Sequence, residues 1–155
     1  AELLETASRL RLVVTRTARK MRQEAGGDLT PTSLAALASI QRMAPLTPSE
    51  LSDIEDVSRP TITRVVNNLF EAGLIRRDPD PRDGRSWLIS PTEAGDSYLA
   101  ERRSRKSAYM AEMLATLEPE EVETLSRAAG ILDAALRNRN SRTREHERET
   151  AGAPE

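Results

Sequence analysis

The sequence has no cysteine and one histidine, His146, near its carboxy end. Disulfides, thiolate metal sites and cysteine nucleophiles are therefore excluded, and the lack of cysteine suits a reducing compartment. A histidine-rich metal centre is not expected either. With no glycine-rich phosphate loop as well, the parts of a catalytic site are missing, so no enzyme and no cofactor is expected. Acidic pairs such as Glu120-Glu121 read as a helix amino end favoured by the dipole. Aromatic residues make up only 3% of the chain (one Trp, two Tyr, one Phe), which leaves the core to Leu, Ile, Val, Ala and Met. No apolar run approaches the roughly 20 residues of a membrane span. The amino end, AELLETASRL, lacks the basic-then-apolar layout of a signal peptide, so the cytoplasm is the expected compartment, with no membrane partner. An overall positive charge is also missing: the net charge is −2.

Charge is nevertheless abundant, at 31% of residues against 37% hydrophobic, a balance that suits helices wetted on one face. Its distribution is uneven. Residues 58–85 hold Arg59, Arg64, Arg76, Arg77, Arg82 and Arg85 against Glu71, Asp78, Asp80 and Asp83, a local excess of two positive charges. Where the charges lie matters more for nucleic acid than the net value.

Periodicity predicts a mainly α chain with one small hairpin. Residues 2–24 carry Leu3, Ala7, Leu10, Val14, Thr17 and Met21 at alternating spacings of four and three, the seam of a helix that lies along another helix. Thr30-Pro31 opens a helix running to Met43, and Thr47-Pro48-Ser49-Glu50 opens a short one with capping-box grammar, ending near Asp56. Ser58-Arg59-Pro60-Thr61 starts a helix over 58–73, with Ser58 as its cap. Its apolar stripe is Ile62, Val65, Val66, Leu69 and Phe70. Pro60, Arg64, Asn67, Asn68 and Glu71 lie opposite. Strands are predicted at 74–78 and 86–90, around the turn Asp80-Pro81-Arg82-Asp83-Gly84-Arg85. A long connecting helix follows over 92–117, with a polar middle that reads as solvent-bridging. A last helix at 119–138 has Val122, Leu125, Ala129, Leu132 and Leu136 in one stripe. Residues 140–155 lack a stripe and read as a flexible, solvated tail.

Two short helices joined by a tight turn and followed by a charged hairpin make a winged helix-turn-helix. The second helix of such a unit enters the DNA major groove and the hairpin lies over adjacent backbone or minor groove. Such a helix needs short donors and a cation near its amino end, which Ser58, Arg59, Thr61, Thr63, Arg64 and Asn67 supply. Arg64 suits guanine and Asn67 suits adenine. On the wing, Arg82 or Arg85 suits a narrow minor groove, Asp83 would orient a neighbouring guanidinium, and Gly84 would turn the tip with a left-handed backbone. With Pro60 on the outer face, the candidate DNA contacts are Ser58, Arg59, Pro60, Thr61, Thr63, Arg64, Asn67, Arg82, Asp83, Gly84 and Arg85.

The stretch SRPTITRVVNNLFEAGLIRRDPDPRDGRSWLISPTEAG resembles the recognition helix and wing of the multiple antibiotic resistance regulator (MarR) family of bacterial transcription factors. The wing at 80–85 followed by T-E-A-G at 92–95 is specific to that pattern, and the resemblance covers residues 2–138. It implies a winged domain at 30–91 and a homodimer whose terminal helices, 2–24 and 119–138, interlock between subunits. It implies DNA contacts from Ser58, Arg59, Thr61, Thr63 and Arg64, with Arg82 and Arg85 on the wing. It also implies a repressor of a pseudo-palindromic operator, released by a small phenolic or aromatic anion in a crevice beside the dimerisation helices. Arg16, Lys20, Met21, Trp87 and Tyr98 are the candidate lining, although Trp87 also suits packing of the wing and Tyr98 the core. An architectural or constitutive DNA binder without an effector is the alternative.

Overall fold

The computed structural model describes residues 2–151, with side chains through residue 140. The described elements are α1 (Glu2–Ala25), α2 (Pro31–Met43), α3 (Pro48–Glu55), α4 (Arg59–Glu71), β1 (Ile75–Pro79), β2 (Trp87–Pro91), α5 (Glu93–Leu114) and α6 (Pro119–Ala151). The chain divides into two compact units, with the boundary between Tyr109 and Met110 within α5. No described helix is long and apolar enough to cross a membrane.

Local chemistry sets the helix ends. Thr30 accepts the Ser33 N–H at 3.2 Å to cap α2. At α3 the full capping box forms: Thr47 Oγ1 accepts from Glu50 N at 3.2 Å, and Glu50 Oε2 accepts from Thr47 N at 2.8 Å. Asp56 ends α3 in the left-handed region, and the turn to α4 is tied by Val57 N donating to Ser52 O. Ser58 occupies the cap position of α4, but its hydroxyl bonds that of Thr61 at 2.9 Å instead of capping a backbone N–H.

Leu37 and Ile40 of α2, Leu51 of α3, Ile62 and Leu69 of α4, Ile75 of β1 and Ile89 of β2 are fully buried in one core, joined by Leu99 of α5. Burying each such side chain contributes about 1.5–3 kcal/mol. Phe70 departs from the predicted stripe. It is exposed at the edge of α4, and the Arg77 guanidinium lies 4.5 Å from its ring centroid.

The strands are antiparallel, with Ile75 opposite Pro91, Arg77 opposite Ile89 and Pro79 opposite Trp87. Both start one residue later than predicted. Leu74 is diverted from the ladder because its N–H closes α4 on Leu69 O at 3.0 Å, beyond Gly73 at φ 73°. Leu46 adds a short third rung to Ile89. Thr92 starts α5 by donating to Gly73 O and accepting from Gly95 N, which anchors that helix to the end of α4.

The long connecting helix ends at Leu114 and not at 117, because Leu117 N turns back to Leu114 O. Its polar middle is not solvated all round, since Arg102 is buried. Helix α6 continues to Ala151, past the predicted end at 138. The apolar stripe stops at Leu136, but no glycine or proline interrupts the backbone there, and pairs such as Asp133–Arg137 at 2.6 Å support it. Residues 152–155 of the expected tail lie outside the described residues. Leu3, Leu10 and Val14 of α1 are exposed in the single chain, as are Leu125, Leu132 and Leu136 of α6.

Candidate nucleic-acid interface

The amino end of α4 presents Ser58, Arg59, Pro60, Thr63 and Arg64 to solvent, with Thr61 half-buried. The hydroxyls are already engaged. Ser58 and Thr61 bond each other, and Thr63 Oγ1 donates to Arg59 O at 2.9 Å. Among the described residues, the guanidiniums of Arg59, Arg64 and Arg85 have no hydrogen bond or ion pair. A hollow of about 280 Å³ is lined by Pro48, Ser49, Arg59, Thr63, Arg85, Ser86 and Trp87. It places a cation of α4 and a cation of the wing on one concave surface beside the amino end of α3. Every cation of this face is an arginine.

The wing is ordered by two aspartates, each bonded two residues onward. Asp80, only 5% exposed, accepts Arg82 N–H at 2.9 Å, Arg82 Nε at 3.2 Å and Arg82 Nη2 at 3.3 Å. These hydrogen bonds, side chain first and then backbone, hold the Asp80 carboxyl below its ordinary range and raise the Arg82 guanidinium. Asp83 does not orient a guanidinium as expected; its Oδ1 accepts the Arg85 backbone N–H at 3.0 Å. That role falls to Asp80, whose burial turn chemistry alone did not reveal. Gly84 does not adopt a left-handed backbone either, since the tip reverses through Asp83 N to Asp80 O and Ser86 N to Asp83 O. Asn67 is exposed on the outer face, but its Oδ1 accepts from Arg77 of β1, a residue outside the predicted set.

The five candidate effector residues lie on three elements, α1, β2 and α5. Trp87 lies at the wing base, half exposed, lining hollows shared with Arg59, Thr63 and Asn67. Arg16 is exposed on α1, and Lys20 pairs with Glu24 at 2.9 Å, which raises its ammonium above the ordinary value. Met21 is half-buried. The Tyr98 hydroxyl is buried with no partner among the described residues, and so are Nε and Nη1 of Arg102. Arg102 lines a different hollow, of about 390 Å³, with Arg22, Arg103 and Lys106 around Leu34, Ala38 and Leu99. The sequence showed Arg102 only as one of a polar run.

Residues 29–87 match the sequence profile of the MarR family. An uncharacterised HTH-type transcriptional regulator of Mycobacterium bovis, Mb0904, is 34% identical over 131 residues, which is 84% of this chain and 92% of the relative. The multiple antibiotic resistance protein MarR of Salmonella typhimurium is 31% identical over 99 residues, 63% of this chain and 69% of its own. Among solved structures, a point mutant of S. aureus MepR bound to an oligodeoxyribonucleotide superposes with a TM-score of 0.69 at 20% identity, covering 84% of this chain and 97% of that one. A winged helix-turn-helix with exposed arginines on both helix and wing, together with a relative this similar over nearly its whole length, makes this chain a member of the MarR family of DNA-binding transcriptional regulators.

Proposed function

We propose that the protein is a sequence-specific repressor that grips a pseudo-palindromic operator as a homodimer, with no catalytic activity of its own. One observation carries this reading: Arg59 of α4 and Arg85 of the wing border a single hollow, with Arg64 free on the next turn. Helix α4 would enter the major groove while the wing follows the backbone or minor groove. The solved MepR variant of the same fold carries a bound oligodeoxyribonucleotide, which supports the same mode here. Two symmetric heads would read half-sites about one helical turn, ~10 bp, apart. The exposed apolar stripes of α1 and α6 suit a subunit interface.

The test is a gel shift on DNA upstream of the protein's own coding sequence, at physiological and at low salt. Wild type is expected to give a specific shift that weakens steeply with salt. Arg64→Ala and Arg85→Ala are expected to lose at least tenfold in affinity, from contacts worth about 1–3 kcal/mol each, while sedimenting like wild type. No shift at low salt defeats the reading, and an unchanged affinity for either variant removes that residue from the interface.

A second reading, release by a small acidic ligand, is favoured by a hollow with an apolar floor ringed by Arg22, Arg102, Arg103 and Lys106. Ligand would release DNA only by binding one head spacing more tightly than the other.

A further inference from the structure

The contact between β1 and α4 bears on which base Asn67 meets. Arg77 sits on β1 opposite Ile89, with its guanidinium over the Phe70 ring at 4.5 Å, and it donates from Nη2 to Asn67 Oδ1. A guanidinium has five donors and no acceptor, so the amide atom turned toward it must be the oxygen. The amide orientation is therefore settled by chemistry. Nδ2, with its two hydrogens, is the end left without a partner among the described residues.

Adenine recognition by asparagine needs both ends of the amide: Oδ1 accepts from adenine N6 while Nδ2 donates to N7. Guanine offers two acceptors, N7 and O6, and needs only donors. We infer that Arg77 is a positioning residue that takes one of the two lone pairs of Asn67 Oδ1, turns that end of the amide toward β1 and leaves Nδ2 as the end presented outward, so that this side chain reads DNA as a donor, selecting guanine over adenine. The inference rests on the DNA-binding reading above. It replaces the adenine pairing that the residue type alone suggested. Phe70, left exposed by α4, is the platform that holds the guanidinium in place.

The test is selection of bound duplexes from a pool of random-sequence DNA by the full-length protein, followed by sequencing. Wild type, Asn67→Ala, Asn67→Asp and Arg77→Met are compared. Asn67→Ala is expected to relax one position per half-site, at which wild type takes guanine by at least about fivefold over adenine. Arg77→Met keeps an apolar stem over Phe70 but frees Oδ1, and it is expected to move the preference at that position toward adenine. A change of preferred base is a readout that mere loosening of the wing does not produce. Asn67→Asp lies on an exposed helix face and removes the donors, so it is expected to abolish the guanine preference even if Arg77→Met does not fold. Adenine at the Asn67-dependent position in wild type overturns the inference and leaves DNA binding standing. So does an unchanged base preference in Arg77→Met, or an Asn67→Ala variant that relaxes no position. A wild-type protein that retains no duplex at all overturns the DNA-binding reading itself.

Discussion

At the scale of single residues, the wing depends on one carboxylate. Asp80 is buried under its own turn and grips Arg82 through backbone and side chain. Its carboxyl is held below the ordinary value of 3.8, so the stabilisation it gives is fully present above that pH and is lost as pH falls through the lower, folded value. The wing is therefore expected to keep its order throughout the neutral range and to loosen only in strong acid. Trp87, the sole tryptophan, sits at the wing base and reports this directly. Its emission is expected to hold steady until the solution falls below 3.8 and then move toward that of a solvated indole. Asp80→Asn is expected to speed amide exchange at Asp83 and Ser86 at neutral pH, without loss of helix by circular dichroism. Wild-type exchange rates in that variant would contradict the role given to Asp80. The turn was legible from Asp, Pro and Gly, but its wiring was not. Asp80–Arg82 and Asp83–Arg85 have the same spacing and both hold a backbone N–H, and only burial separates the aspartate that also holds a side chain. Asn67 was likewise legible as an outer-face residue but not as a partner of Arg77, because the pair is made across an element boundary.

At the scale of elements, helix starts were the most legible feature. Thr30 and Thr47 each act as read, because a capping hydroxyl followed by proline is a local signal that needs no tertiary context, whereas Ser58, also read as a cap, bonds Thr61 instead. Ends and registers depend on partners that sequence does not reveal. The strands slipped by one because Leu74 serves α4, and α6 ran on because its backbone meets no breaker. The same junction explains the glycine at position 95. A Cβ there would stand 2.1 Å from the Leu74 carbonyl oxygen, which is backbone and cannot step aside. Gly95→Ala is expected to destabilise the winged domain by about 1–3 kcal/mol, seen as a lower urea midpoint with an unchanged slope. A midpoint equal to wild type would mean that α5 can move away from Leu74 freely.

At the scale of the molecule, the proposed dimer would cover the apolar stripes that α1 and α6 leave exposed in the single chain. Leu132 and Leu136 are 42% and 61% exposed in the single chain. Replacing both by glutamate is expected to weaken self-association on the order of a hundredfold or more, since each buried leucine contributes about 1.5–3 kcal/mol. Sedimentation velocity checks this, and a variant that still sediments as a tight dimer moves the interface elsewhere. The chain has only two lysines, Lys20 on α1 and Lys106 on α5, and the proposed DNA face has none. Enzymatic acylation, which silences a lysine ammonium, thus has no substrate there. On the proposed dimer reading, a cell cannot dim this grip by acylating lysines, and changing the distance between the two hands is the route left to a ligand.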